Sequence, residues 1–289
     1  MIKNQTNGRK IQLKNLIFRV VLLVSLVMIM ISLSYSWFLM RRTAEADGLS
    51  IQVSDLSNLE ISSDGSEWVA ELELPEDESF KFVQLSGNGT SFYSPVLELV
   101  DKESSSEEYK YRDYVISGFE PASTDVIENG VFTYDFAARI DSDSELFLSE
   151  AYVGSVGAGA IRGALMVKEG DAYRTLVIWI PDVVSKVDIN GEITTEQETE
   201  VVFRDDNGDT YQIAIDGENG TYTDSESGIQ YVWGSIIEPL ALTDLPAGSP
   251  LDLRLVLWID GEDRDCRDFV PLTDVSVALH LSAGQKAAE

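Results

Sequence analysis

One run of residues limits what this chain can become more than any other feature: residues 20–40 are 21 consecutive positions without a charged side chain. An α-helix needs about 20 apolar residues to cross the hydrocarbon core of a bilayer. Five basic residues precede the run and two follow it, a bias that predicts a cytoplasmic N-terminus and an exported remainder. The sequence therefore predicts a basic cytoplasmic segment over 1–19, a transmembrane or signal helix over 20–40 and a junction over 41–48.

Two fates are open to this segment, and the sequence supports both. Its length exceeds that of a typical signal-peptide core, which favours retention as an anchor in the cytoplasmic membrane. Ser36 and Ala46 each end a small-x-small triplet, Ser34 to Ser36 and Ala44 to Ala46, which is the pattern of a cleavage site. The protein is therefore expected either in the membrane with an extracellular domain, or released to the cell surface after cleavage at Ser36 or Ala46.

The charge of the exported part excludes one class of partner. Residues 45–289 contain 14 of the 21 basic residues and all 50 acidic ones, which gives them a formal charge of −36. Such a surface repels phosphate backbones, so nucleic-acid binding is not expected. It suits metal cations or basic partners instead. Because 44% of the residues are apolar, a folded domain is predicted rather than a disordered one.

Hydrophobic periodicity changes after Asp47 from a continuous apolar run to alternation. Residues 49–53 alternate, and residues 251–255 alternate before an apolar stretch at 256–259. The pattern predicts one all-β domain over 49–289, an antiparallel β-sandwich. Short helices are allowed at 121–129 or 241–248, and 183–200 is predicted to be loop or insertion. The further strand candidates are 67–74, 79–84, 95–100, 131–140, 145–153, 160–168, 173–180, 199–204, 210–215, 229–233 and 274–282.

Histidine and cysteine are nearly absent, and the 50 carboxylates are too numerous for any pair to indicate a catalytic site. His280 is the single histidine and Cys266 the single cysteine, so a nucleophile–histidine device would have to use His280, a zinc ribbon lacks its other cysteines, and an internal disulfide has no second cysteine. His280 lies in an alternating segment and is predicted to be a structural or surface residue. The sequence therefore predicts that the protein is not an enzyme and needs no cofactor.

Calcium is the one cofactor candidate. Asp205, Asn207 and Asp209 have the 1, 3, 5 spacing of an EF-hand loop and Asp216 occupies position 12, but Thr210 replaces the glycine at position 6. The same residues also fit an Asn-Gly hairpin turn. A second acidic turn, with the same two interpretations, contains Asp260, Glu262, Asp263 and Asp265.

Three stretches resemble a known family. They are the junction Ser34-Tyr35-Ser36-Trp37-Phe38 with Leu49–Val53 after it, the pair Phe136–Ser142 and Glu145–Leu148, and the segment Val256–Cys266. They are similar to exported surface proteins of Gram-positive bacteria that depend on a specialised signal peptidase and include camelysin and the TasA-type biofilm-matrix fibre proteins. The resemblance implies a jelly-roll-like β-sandwich at the cell surface.

The leading functional hypothesis is an exported structural protein, a matrix, fibre or envelope component. In this hypothesis an exposed strand, with 49–53 freed after cleavage as the candidate, completes the sheet of a neighbouring molecule through main-chain hydrogen bonds. The alternative is a membrane-tethered binding module for a glycan, peptide or cation. Its candidate contact residues are loop aromatics, namely Tyr109, Tyr111, Tyr114 and Phe119.

Overall fold

The structure, a computed structural model, confirms the all-β prediction for the part of the chain that it describes. The described residues are 50–53, 58–73, 83–99, 114–156, 158–189, 192–263 and 273–284. Segment 20–40 lies outside these ranges. Among the described residues, no helix has the length and apolar character needed to span a bilayer.

Two sheets contain most of the strands. The smaller sheet has five strands, which in spatial order are β17 (Leu240–Leu245), β8 (Ser144–Val156), β19 (Thr273–Gly284), β1 (Ser50–Val53) and β3 (Glu71–Glu73). The larger sheet has a main path of eight strands: β15 (Gly220–Thr223), β16 (Gln230–Trp233), β10 (Ala172–Ile180), β9 (Ile161–Glu169), β18 (Leu251–Asp260), β4 (Gln84–Gly87), β5 (Phe92–Leu99) and β6 (Tyr114–Pro121).

The remaining elements are two further strands of the larger sheet, two separate hairpins, one short helix and a 3-10 turn. Strand β7 (Phe132–Arg139) also pairs with β18, and β2 (Glu60–Ser62) pairs with β7. Two separate hairpins are formed by β11 (Val184–Ile189) with β12 (Glu192–Gln197) and by β13 (Glu200–Arg204) with β14 (Thr210–Ala214). One short helix, α1 (Thr124–Gly130), and a 3-10 turn (Ala158–Ala160) complete the described elements.

Most strand pairs are antiparallel, and the exceptions join distant parts of the chain. β1 runs parallel to β19, β10 to β16, and β4 to β18. The first of these pairs places the N-terminal strand of the domain directly beside its C-terminal strand. The fold is therefore antiparallel-rich rather than purely antiparallel.

The first hydrophobic core fills the space between the two sheets. Ile51, Leu148 and Leu279 of the small sheet are fully buried, and they belong to the same cluster as Leu253 and Leu255 of the large sheet. The alternation within 50–53 and 251–255 reflects this packing, because successive side chains of a strand point to opposite faces.

A second core on the opposite face of the large sheet adds a layer that the sandwich prediction did not contain. Trp258 and Val256 face it from β18, and Phe203 and Ile213 face it from the hairpin β13–β14. Strands β9, β10 and β18 are thus buried on both faces. This explains why 256–259 reads as a continuous apolar run, as do other strands covered on both sides.

One local prediction was wrong, one was wrong in part, and one was confirmed. Residues 241–248 contain β17 rather than a helix, because β17 pairs with β8 and packs its apolar residues on the first core. Residues 183–200, predicted to be a loop or an insertion, contain the hairpin β11–β12 and are therefore not a loop throughout. The short helix expected near 121–129 is present as α1, where the Ser123 side chain accepts a hydrogen bond from the backbone N–H of Val126.

Candidate functional site

The acidic turn after β18 is a buried ion cluster. Asp260 ends β18, Asp263 follows three residues later, and both carboxylates are buried together with the guanidinium of Arg162. Arg162 Nη2 lies 2.5 Å from Asp263 Oδ2, and Arg162 Nε lies 3.5 Å from Asp260 Oδ2. A buried charge is tolerated when it is paired and hydrogen-bonded. Asp263 meets this condition through its short contact with Arg162, and Asp260 meets it less fully because it lies farther from the guanidinium.

The position of Arg162 follows from strand pairing. Arg162 is the second residue of β9 and stands opposite Trp258 of β18, so its side chain points to the second core. Its Nη1 donates hydrogen bonds to the carbonyl oxygens of Gly159 and Ile161. The 3-10 turn that precedes β9 therefore helps to hold the guanidinium in place.

Burial controls the electrostatics of the cluster. It raises the pKa of Asp260 to about 7; the negative charge of Asp263 acts in the same direction, and the attraction of Arg162 opposes both. Burial also works against the charge of Arg162, but Asp263 and Asp260 overcome this, so the pKa of Arg162 is raised. Asp260 thus titrates near neutrality while Arg162 stays charged.

A second, partly buried ion pair connects this turn to the hairpin β13–β14. Arg204 Nη2 lies 2.6 Å from Glu262 Oε1, and the Ser86 hydroxyl donates to the same oxygen over 3.3 Å. The Arg204 guanidinium also lies 4.4 Å above the ring of Phe119. Phe119, predicted to be a loop aromatic open to a ligand, is therefore a strand residue of β6 packed against an arginine.

The calcium candidates are only partly brought together. Asp205, Asn207 and Asp209 form the turn of the hairpin β13–β14, where Asp205 Oδ1 accepts the backbone N–H of Asn207 and of Asp209 at 2.8 and 2.9 Å. Desolvation alone would raise the pKa of Asp205, but the hydrogen bonds of the turn together outweigh it and the pKa is lowered. In this turn the aspartate acts as a cap for the backbone.

Asp216 does not join that turn. It lies beyond the opposite end of β14, a five-residue strand that spans roughly 17 Å at about 3.3 Å per residue. In the described part of the chain, no group of three or more His, Cys, Asp or Glu side chains is arranged to hold a metal ion. The four residues that share the EF-hand spacing therefore do not form one ligand set.

The same turn has a structural partner that the sequence did not predict. Asp206 Oδ1 accepts hydrogen bonds from Asn88 Nδ2 at 3.0 Å and from the Ser91 hydroxyl at 2.8 Å. The Tyr93 hydroxyl donates to the backbone oxygen of Asp206 at 3.1 Å. The Asn-Gly turn between β4 and β5 is thus joined to the Asn-Gly turn of the hairpin β13–β14.

The strand expected to be exposed at 49–53 is buried in its own sheet. β1 pairs with β19 on one side and with β3 on the other, and Ile51 is fully buried. In the described domain β1 completes the small sheet, and its exposure after cleavage stays a prediction. Any assembly through β1 requires the strand to leave this position.

His280 lies in β19 next to this strand. Its Nδ1 is 3.3 Å from Glu150 Oε2 on β8, and both side chains are partly exposed. This placement agrees with a surface histidine. Tyr114 begins β6, and the other candidates, Ser36, Ala46, Tyr109, Tyr111, Asp265 and Cys266, lie outside the described residues.

Comparison with protein-family models, with curated proteins and with solved structures finds no match to this chain.

Arg162 is the functional-site candidate that sequence reasoning missed. It is the one charge in the run Ile161–Val167, and that run is buried throughout. A charge inside a strand that is apolar on both faces needs a buried counter-charge. This signal was present in the sequence, but periodicity alone does not say which of 50 carboxylates supplies the counter-charge.

Proposed function

We propose that this protein is an exported structural component of the cell surface that assembles by strand exchange through β1. The described domain would be a jelly-roll-like sandwich, tethered to the cytoplasmic membrane or released from it at Ser36 or Ala46. The observation that carries the proposal is the position of β1. It is a four-residue strand at the N-terminal end of the domain, inserted between β19 and β3 of the small sheet.

The edge strands of the two sheets are short, charged or bulged. This favours exchange of an internal strand over the addition of a second chain at a sheet edge. β3 is three residues long and has glutamates on both sides of Leu72, and β15 has four residues. β6 and β17 each contain an extra residue that interrupts the pairing register. Short, charged or bulged edge strands oppose the addition of another chain. Exchange of an internal strand avoids this protection because it reuses an existing sheet position.

β1 has the properties that exchange requires. It is short, so few main-chain hydrogen bonds must break. Its apolar residues Ile51 and Val53 are buried in the slot, which is the position between β19 and β3. The same side chains and the same hydrogen bonds would be recovered when β1 of one molecule enters the slot of another. Strand addition of this kind gains affinity from the main chain and specificity from alternate side chains.

A disulfide lock tests the proposal directly. Gln52 of β1 and His280 of β19 are partners in the parallel register, and neighbouring strands have the Cα separation that a disulfide needs. We expect Gln52→Cys/His280→Cys in a Cys266→Ser background to form filaments when reduced and to stay monomeric when oxidised. Negative-stain electron microscopy with sedimentation distinguishes the two states.

The single-cysteine variants are the matched controls and should form filaments under both conditions. Filaments from the oxidised double variant would rule out exchange of β1. Absence of filaments from every form, including native protein whose intact mass shows cleavage near Trp37 or Asp47, would rule out the structural role altogether.

The alternative of a membrane-tethered binding module is supported by one observation. Val96, Leu97 and Leu99 are exposed apolar residues on the outer half of β5, a site suited to a peptide rather than a glycan. An intact mass that includes residues 1–46, found only in membranes, together with retention of a peptide library on the wild type but not on Leu97→Ser/Leu99→Ser, would favour this alternative.

A further inference from the structure

One end of the β5–β6 pair carries a cluster of exposed apolar side chains. Four of the seven large apolar side chains that are exposed in the described part of the chain lie on β5 or just before its neighbour β4: Val83, Val96, Leu97 and Leu99. Leu97 and Leu99 are the most exposed of these four, at 55% and 75%. Single apolar residues on a surface need no explanation, but a contiguous group of them marks an interaction site.

Leu97 and Leu99 point to the same face of the pair as Tyr93, because even numbers of residues separate the three along β5. Ile116 of β6 stands opposite Leu97 and is half-buried, so it belongs to this face as well. We call Leu97, Leu99 and Ile116 the apolar stripe. The described pairing of β4 with β5 ends at Tyr93, so the stripe extends outward from the point where that pairing stops.

An acidic turn lies at the inner end of the stripe. The Tyr93 hydroxyl donates to the backbone oxygen of Asp206 at 3.1 Å, which places the turn of the hairpin β13–β14 against this face. Leu97 is four residues farther along β5 than Tyr93, a distance of roughly 13 Å. A short extended segment on the stripe therefore reaches the three acidic residues of the turn, which are Asp205, Asp206 and Asp209.

The basic residue next to this turn is already engaged. The guanidinium of Arg204 lies 2.6 Å from the carboxylate of Glu262 and 4.4 Å above the ring of Phe119. Phe119 stands opposite Pro95, two residues from Leu97, so Arg204 covers the inner part of the face. The outer part is left apolar and exposed beside a turn whose acids still attract cations.

We propose that the apolar stripe and the acidic turn together bind an extended, basic segment of a partner protein. Alternate apolar residues of the segment lie on Leu97 and Leu99, and its lysines or arginines lie beside Asp206 and Asp209. The formal charge of −36 on residues 45–289 attracts a cationic partner and opposes a second copy of this chain, whose own acidic turn would be brought near.

This site goes beyond strand exchange, because no residue of β1 takes part in it. It deepens the alternative of a binding module, on which it rests, by naming the chemistry of the partner. Failure of one proposal can be told from failure of the other, since the oxidised Gln52→Cys/His280→Cys variant, which cannot exchange β1, should bind the basic segment as the wild type does.

A matched pair of synthetic peptides tests the site on the full chain in phosphatidylcholine nanodiscs. The basic probe is fluorescein-labelled Lys-Lys-Thr-Val-Thr-Leu-Thr-Lys-Lys, whose two basic ends allow either strand direction, and the acidic probe has Glu for each Lys. Fluorescence anisotropy, corrected with empty nanodiscs, should show at least about tenfold tighter binding of the basic probe. That binding should weaken as sodium chloride rises from about 0.05 M to about 0.5 M.

Variants of exposed residues assign the binding to the stripe and the turn. Leu97→Ser/Leu99→Ser removes apolar contact area and should weaken binding of the basic probe at least about tenfold. Asp209→Asn removes one exposed charge and should weaken it roughly twofold to fivefold. Ile237→Ser changes a strongly exposed apolar residue outside the stripe, so it is the matched control and should bind as wild type.

The proposal is overturned if the wild type binds neither probe, binds both equally, or loses as much binding in Ile237→Ser as in Leu97→Ser/Leu99→Ser. A mixed peptide library retained by the stripe without preference for basic members would support the binding module and still refute the basic partner. Self-association of the wild type that Leu97→Ser/Leu99→Ser abolishes would assign the stripe to a second copy of the chain instead.

Discussion

At the scale of single residues, two positions in β9 determine how closely the layers approach. Gly163 lies under the indole of Trp179, and a Cβ atom there would stand 2.1 Å from Trp179 Cζ2. Arg162, its neighbour, points to the other face and supplies the buried positive charge. Adjacent residues of one strand thus set the packing of one core and the electrostatics of the other.

Gly163→Ala tests the close approach. The added methyl group must displace a buried indole, and overpacking of this kind costs about 1–3 kcal/mol of unfolding free energy. Chemical denaturation monitored by tryptophan fluorescence measures the loss. Gly118→Ala is the matched control, because a Cβ atom at Gly118 meets nothing within 4 Å, and equal stability losses for the two variants would contradict this account.

Arg162→Met tests the buried charge at about pH 8. Removal of the guanidinium leaves the carboxylates of Asp260 and Asp263 buried without their counter-charge, and such a change costs about 3–5 kcal/mol. The loss should shrink as pH falls and Asp260 takes up its proton. Arg254→Met, at a more exposed pair with Asp135, should cost much less in the same denaturation experiment. Similar losses at both sites would show that burial of Arg162 is unimportant.

At the scale of elements, two turns of the same type are used in different ways. Asn88 is buried, and its side chain accepts the backbone N–H of Thr90 and Ser91 and donates to Asp206. Asn207, in the hairpin β13–β14, is exposed, and among the described residues its hydrogen bonds go to Asp205 in the same turn. The two Asn-Gly dipeptides therefore contribute differently to the stability of the domain, because the Asn88 side chain joins two turns whereas Asn207 bonds within its own turn.

Asn88→Ala should accordingly destabilise the domain by about 1–3 kcal/mol, since it leaves partly buried backbone donors without their acceptor. Asn207→Ala is the matched change in the solvent-exposed turn and should have little effect. Thermal unfolding of both variants beside the wild type makes the comparison. An Asn88→Ala variant as stable as Asn207→Ala would show that the contact between the turns does not stabilise the domain.

Local patterns in the sequence predicted strands well and layers poorly. Alternation identified β1 and β18, because each places apolar side chains on the first core at every second residue. The hairpin β11–β12 was read as a loop, since its sequence is polar and its strands pair only with each other among the described residues. The buried position of β1 was also missed, because which strands become neighbours depends on pairing between distant segments.

At the scale of the whole molecule, the formal charge of −36 on residues 45–289 opposes compaction. Self-repulsion among surface carboxylates is screened by salt, with a Debye length of about 10 Å at 0.1 M ionic strength. The described structure contains few basic partners for these acids, and the ion pairs that it does form concentrate around a handful of arginines. Stability is therefore expected to depend on ionic strength.

Thermal stability should rise as sodium chloride increases from about 0.02 M to about 0.5 M, because screening reduces the repulsion. Differential scanning calorimetry measures this, and calcium chloride at matched ionic strength is the comparison. An equal rise with both salts indicates general screening, whereas a larger rise with calcium that Asp205→Asn abolishes would support the cation site predicted at that turn. A melting temperature that does not change with salt concentration would show that repulsion among the carboxylates does not limit stability.

The parallel pairing of β1 with β19 has a mechanical consequence. Ser50 to Val53 are matched with Ala278 to Leu281 in the same direction, so the N-terminal end of β1 and the C-terminal end of β19 leave the pair at opposite ends. A pull applied between these two ends loads the hydrogen bonds of the pair in shear, all at once, rather than opening them one after another. A domain pulled between these two ends would therefore resist stretching along that axis far better than peeling across it.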